Sequence, residues 1–130
     1  MIELSQQIRI FLKTLHPRVY WEIAPENAVY PYLVYDFQLY PDGEGSELCT
    51  LSVDGWDKTL VGDTTVIETL IKRVNGELDE NGNPTGLDKH VFSTGNFVLV
   101  VFNENKLPVK DDDKTLRRRN YNYSGQVIRK

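Results

Sequence analysis

One cysteine, Cys49, and two histidines, His16 and His90, are all this chain holds of the thiol and imidazole side chains that most often bind zinc. A single cysteine cannot close an internal disulfide, so no disulfide framework is expected. Cys49 falls in an apolar, strand-like stretch, which predicts a buried free thiol and a reducing compartment. Neither histidine has a partner at helical or hairpin spacing, and zinc sites need clustered ligands. No histidine adjoins Cys49, so a catalytic thiol would lack its base. Long apolar runs are missing too: none approaches the ~20 residues that span a bilayer, and no membrane association is expected. Met1-Ile2-Glu3 brings an early acid and no continuous apolar core, so a secretory signal is not expected, and Asn122-Tyr123-Ser124 carries no weight as a glycosylation sequon. A basic excess is absent as well. The net charge of −4 weighs against a nucleic-acid binder.

What is present suits one ordinary domain, residues 1–130, with apolar residues at 40% and charged residues at 26%. That length builds a core without disulfides or metal. Its richest stretch is Val29-Tyr30-Pro31-Tyr32-Leu33-Val34-Tyr35, followed by Leu51-Ser52-Val53-Asp54-Gly55-Trp56. These read as two aromatic strands with a proline at the entrance of the first, and they contain nothing that performs chemistry.

Leu4, Ile8, Phe11, Leu12 and Leu15 recur at helical spacing, and Pro17 ends that helix. Residues 19–23 read as a short strand. Residues 32–40 form a longer one, with Leu33, Tyr35, Phe37 and Leu39 on one face and Asp36 and Gln38 on the other. Residues 42–45 are a flexible turn. Residues 48–54 continue as a strand with Cys49, Leu51 and Val53 on one face, and Gly55 is read as a bulge that re-aims Trp56. Ile67, Leu70, Ile71 and Val74 form the buried stripe of a second helix over 63–75. Asp63 or Thr65 caps it, Thr65 and Glu68 have capping-box spacing, and Asn75-Gly76 ends it. Residues 79–89 are turn-rich, and 91–93 have the character of a short strand. Residues 97–102 are apolar on both faces, so both faces should be covered. Residues 106–114 read as a charged loop, and 116–128 as a long last strand. The expectation is an α+β fold in the order α-β-β-β-α-β-β, with two helices packed on one face of an antiparallel sheet.

The clusters that resemble sites fail on spacing. Asp79-Glu80-Asn81-Gly82-Asn83 imitates the start of a calcium loop, yet the places that need glycine and glutamate hold Pro84 and His90. Asp111, Asp112 and Asp113 are consecutive, so they point in different directions. Gly43-Glu44-Gly45 joins two strands and lacks the helix N-terminus that would receive a phosphate. Arg117, Arg118 and Arg119 form the sole strong basic run. With Tyr121 and Tyr123 they suit a small nucleic-acid-binding module. The competing reading is a charged edge strand or a salt-bridged interface. No catalytic, cofactor-binding or metal-ligating residue is assigned, and an enzyme is not expected.

Taken in order, these segments resemble the small tail-completion, or tail-terminator, proteins of long-tailed bacteriophages and prophages. The segments that carry the resemblance are the N-terminal amphipathic helix, Val19-Tyr20-Trp21 with Ala24-Pro25, and Pro31-Tyr32-Leu33-Val34-Tyr35. They continue with Val53-Asp54-Gly55-Trp56, the helix from Asp63, and Arg118-Arg119 with Tyr121-Asn122-Tyr123. The resemblance implies a structural protein, made in the host bacterial cytoplasm and placed at the tail–head junction of the virion. It implies a hexameric ring on the head-proximal end of the tail tube that stops tube growth and joins tail to head. The partners implied are other copies of the chain, the tube protein and the head–tail connector, with duplex DNA passing through the ring without specific binding. Another head–tail neck protein, a connector or stopper, is the alternative within that class. Phe97, Leu99, Val101, Arg117, Arg118, Arg119, Tyr121 and Tyr123 are the candidate subunit interface.

Overall fold

Leu4, Ile8 and Leu12 sit at zero exposure along helix α1, Ile2–Leu15, whose stripe faces inward as its spacing predicts. The helix stops where Pro17 biases His16 away from helical geometry. The computed structural model describes residues 2–41, 43, 45–60 and 62–130. Asp42 and Glu44 of the glycine-rich turn therefore lie outside the described residues, as does Met1 of the N-terminal reading.

Six strands follow: β1 Val19–Trp21, β2 Tyr32–Pro41, β3 Glu47–Lys58, β4 Val91–Ser93, β5 Phe97–Val109 and β6 Leu116–Arg129. Helix α2, Thr65–Asn75, lies between β3 and β4. The fold is α+β, with the element order α-β-β-β-α-β-β-β. The strands form one strongly curled sheet, a half-barrel, in the order β1-β2-β3-β6-β5-β4.

The sheet is mixed rather than antiparallel. β1 and β2 run parallel, Val19 opposite Leu33 and Trp21 opposite Tyr35, whereas every other pair is antiparallel. The reason is the connection over residues 22–31. It returns to the level where β1 began before β2 starts, so both strands point the same way. β4 adds an element to the expected order because three residues suffice to pair with β5. Residues 106–109 belong to β5, not to a charged loop: their pairing with β6 holds them extended although Lys106, Leu107 and Pro108 are exposed.

The core joins alternate strand residues to both helices. Leu33, Tyr35, Cys49, Leu51, Val53, Phe97, Leu99, Val101, Tyr123 and Val127 meet Leu4, Ile8, Leu12, Ile67, Ile71 and Val74 in one cluster. Helix α1 contacts β1 and β4, which lie at opposite ends of the strand order, so the curl of the sheet brings both ends to one helix. Gly55 is not a bulge. It keeps register with Leu33 and Arg119, and its missing side chain lets α2 approach: a Cβ there would stand 3.0 Å from Ile67 Cδ1. The irregularity lies instead in β5 between Asn103 and Asn105.

The start of α2 departs from a capping box. Asp63 Oδ1 accepts from the Thr65 backbone N–H at 2.8 Å and from its hydroxyl at 2.6 Å. Thr64, at the N-cap, makes no side-chain cap, and Glu68 is drawn to Arg119. At the other end Gly76 takes φ +74°, where a side chain is strained. The chain then folds back: Leu87 and Asp88 donate backbone N–H groups to Val74 O and Asn75 O. Carbonyls left open by the helix end are satisfied this way.

Candidate functional site

Of the eight residues expected at a subunit interface, Phe97, Leu99, Val101 and Tyr123 are 0–1% exposed within the chain's own core. They have no surface left for a neighbour. Strand alternation explains this burial: every second residue of β5 points toward the helices. The opposite face of β5 is not covered, with Val98 and Val100 half-buried and Phe102 exposed.

The arginines alternate faces, and two of the three meet acids. Arg118 lies on the outer face, where its guanidinium donates to Asp54 Oδ2 at 3.0 Å and covers the Trp56 ring at 4.8 Å. Its buried Nε has no acceptor among the described residues. Arg119, on the other face, pairs with Glu68 of α2. Arg117 donates to the carbonyls of Lys114 and Leu116 at 2.6 and 3.1 Å. Tyr121 packs at the margin of the core beneath the Lys106 ammonium, 5.7 Å from the ring centre.

The acid-rich stretches serve turns. Asp79 Oδ1 accepts the N–H groups of Asn81 and Asn83 at 2.8 and 2.9 Å. Asp111 Oδ1 accepts from Asp113 N, and Asp113 Oδ1 from the N–H and hydroxyl of Thr115. Those bonds to Thr115 hold the Asp113 carboxyl below its ordinary range. Among the described residues no group of three or more His, Cys, Asp and Glu side chains is placed to hold a metal ion. Among the described residues no helix is long and apolar enough to cross a membrane.

His16 is buried and its Nε2 lies 2.8 Å from Pro31 O. A carbonyl only accepts, so Nε2 carries the proton. Arg18 Nε donates to the same oxygen at 3.0 Å. His90 stacks on Phe11 with ring centres 3.7 Å apart. Burial holds both imidazoles below their ordinary pKa. Burial likewise pushes the Cys49 thiol up to about 12, so it is a protonated core group. A hollow of about 280 Å³ beside His16 is walled by Pro31, Val66, Leu70 and Arg73. Thr65 and Thr69 complete its lining, which includes no acid.

The outer face carries the most distinctive surface, one that individual residue types did not reveal. Tyr20 and Tyr30 pack on Tyr32, Tyr32 stacks near Trp56 at 6.3 Å, and Trp56 lies under Arg118. From there a polar row crosses the sheet: Asp54 and Ser52 accept from Asn120 Nδ2, and Asn122 Nδ2 donates to Asn120 Oδ1 and Asn105 Oδ1. An open trough of about 360 Å³ runs beside this row, lined by Asp36 and Gln38 of β2, Thr50 and Ser52 of β3, Asn122 of β6 and Glu104 of β5. The alternation of Tyr32 and Trp56 signals that they face outward. Their adjacency depends on the β2–β3 register, which the spacing of residues does not encode.

The sheet edges are the second surface. Among the described residues, β1 pairs only with residues 33–35 of β2, and β4 only with residues 98–100 of β5. Backbone bonds from Glu22 to Tyr35 and between Val101 and residues 89–90 extend these pairings slightly. Among the described residues, 36–41 of β2 and 105–109 of β5 pair on one side only, with β3 and β6 respectively. No known family model and no curated protein matches the chain.

Proposed function

We propose that the chain is a tail terminator of a long-tailed phage or prophage. In this reading it forms a ring at the head-proximal end of the tail tube, stops tube growth and joins tail to head. One observation supports the reading: three of the segments that resemble the family, those on β2, β3 and β6, are scattered along the sequence yet lie side by side in one sheet. Tyr32, Trp56 and Arg118 are consecutive cross-strand neighbours, as are Tyr35, Val53 and Tyr121. The resemblance thus falls on one continuous unit rather than on unrelated strands.

The arginines support the same reading. Arg118 and Arg119 are each neutralised by an acid of the same chain. Free guanidinium groups would grip phosphates and release counterions, which makes contacts tight. Neutralised ones suit a ring that duplex DNA traverses. The outer face fits partner contact, since tyrosine, tryptophan and arginine are the side chains enriched at protein interfaces.

The test is electron microscopy of the purified chain, alone and with tail tubes of the same phage or prophage, together with tail length after gene deletion. Rings on one end of each tube, and overlong tails without the gene, are expected. Bare tube ends and tails of unchanged length overturn the reading.

A further inference from the structure

We propose that the chain assembles by joining its two open strand edges: residues 36–41 of β2 in one copy pair, antiparallel, with residues 105–109 of β5 in the next. This rests on the ring reading above and specifies how neighbouring copies meet.

The edges complement each other in four respects. They belong to opposite flanks of the same sheet, so joining them is head-to-tail, and a head-to-tail contact generates a closed ring when its rotation closes. Their chain sense is also right. β2 is antiparallel to β3, β3 to β6, and β6 to β5, so β2 and β5 run in opposite directions. Two copies in the same orientation therefore present an antiparallel pair.

The side chains match by face. On β2, Asp36, Gln38 and Tyr40 point outward, while Phe37 and Leu39 point toward the core and are only half-buried. On β5, the irregularity at Asn103/Asn105 shifts the alternation by one residue. Asn105 and Leu107 consequently point outward with Asn122 and Asn120, and Lys106 turns in over Tyr121. Without that bulge Leu107 would point inward. Registers that oppose Gln38 to an odd-numbered residue of β5 keep outer with outer and inner with inner. In the register that opposes Tyr40 to Leu107, the half-exposed leucine gains apolar company.

The geometry of closure agrees. Cross-strand register places the open stretch of β5 about four residues further along the strands than that of β2, ~13 Å at ~3.3 Å per residue. Each copy contributes the long strands β2, β3, β6 and β5, a width of ~19 Å at ~4.8 Å per strand. An offset of that size over that width corresponds to strands inclined by roughly 35° to the ring axis, which lies in the range that closed sheets adopt. β1 and β4 explain why the junction is confined to these stretches: each covers the other half of its edge. Edges left open are otherwise a liability for uncontrolled pairing.

The experiment uses cysteine pairs on the full chain. Cys49 is fully buried, so a maleimide reaches only an introduced thiol. Gln38→Cys and Leu107→Cys proteins are mixed and treated with a bismaleimide of ~10 Å span, a length that tolerates a shift of one strand pair along the register. A mixed cross-linked dimer is expected, with neither variant alone giving a dimer in comparable yield. The chain carrying both substitutions should give a ladder of covalent multimers ending at the closed ring. Multimers by native mass without these cross-links overturn the junction and leave the ring reading standing. Cross-linked ladders with bare tube ends uphold the junction and overturn the terminator. No multimer in solution and none on tube ends overturns both.

Discussion

The hydroxyl of Tyr123 donates to Asn75 Oδ1 at 2.8 Å, and both side chains are buried. The bond ties the centre of β6 to the last turn of α2, the point where the chain reverses at Gly76 and folds back over the helix end. It also explains two polar groups inside an apolar cluster: each satisfies the other, and neither would be tolerated alone. Burial accordingly raises the Tyr123 hydroxyl far above its ordinary pKa.

Tyr123→Phe keeps the ring and removes the donor, leaving Asn75 Oδ1 buried without its partner. The expected loss is about 1–3 kcal/mol of unfolding free energy, the desolvation cost of one orphaned buried polar group. Tyr121→Phe, whose hydroxyl makes no such bond, should change stability by less. Urea unfolding of both variants checks the contrast, and equal losses would remove the bond from this account.

Glycine supplies a second contrast. At Gly125 a Cβ would stand 2.0 Å from Val100 O of the neighbouring strand, and at Gly76 it would stand 2.2 Å from Gly86 N. Gly95 meets nothing within 4 Å and has no positive φ. Gly125→Ala must therefore separate β5 from β6, and we expect a loss of about 3 kcal/mol or more, beyond ordinary overpacking. Gly95→Ala should be neutral or slightly stabilising, because it narrows the unfolded ensemble. Paired melting curves decide it.

How far the sequence reveals this fold depends on what each element encodes. Leu4, Ile8 and Leu12 and the stripe from Ile67 to Val74 mark their helices because periodicity is local. Leu33, Tyr35, Cys49, Leu51 and Val53 likewise show their buried face by alternation. Three features are not local. The parallel β1–β2 pair depends on the path of residues 22–31. The burial of Phe97, Leu99 and Val101 depends on the helices covering one face of β5 and not the other. The reach of β5 through Asn105 and Lys106 depends on pairing with β6, which overrides their low strand propensity. The surface was less legible still. Arg118 is visible as a basic residue, but its partners Asp54 and Trp56 lie far back in the sequence.

Acid should weaken the fold before its carboxylates titrate. His16 is held below its ordinary pKa first by burial and further by the nearby Arg18 and Arg73, against the opposing bond to Pro31. His90 is lowered by burial. With the folded pKa below the unfolded value of ~6.5, the unfolded chain binds more protons in this window. The stability from keeping both rings neutral is complete above pH ~6.5 and is lost as pH falls toward the folded pKa values. Melting temperature should therefore decline from pH 7.5 to pH 5, with a flatter profile in a His16→Gln, His90→Phe double variant. A melting temperature that rises on acidification across that interval contradicts the assignment.

The arginine run gives the last test. Among the described residues Arg117 donates only to carbonyls at an exposed turn, whereas Arg118 holds both Asp54 and the face of Trp56. Arg117→Gln should cost under ~0.5 kcal/mol, as surface substitutions usually do. Arg118→Gln should cost about 1–2 kcal/mol, because a partly buried carboxylate loses its charge partner and the indole its cation cover. Neither guanidinium of Arg118 or Arg119 is free for phosphate, so the wild-type chain should not retain duplex DNA at physiological salt. Replacing Arg117, Arg118 and Arg119 together by Gln should lower stability and assembly without changing DNA retention. Tight duplex binding with a steep salt dependence would reverse this reading. If the triple variant then lost that binding and still assembled, the run would be a DNA site rather than part of the sheet's own bracing.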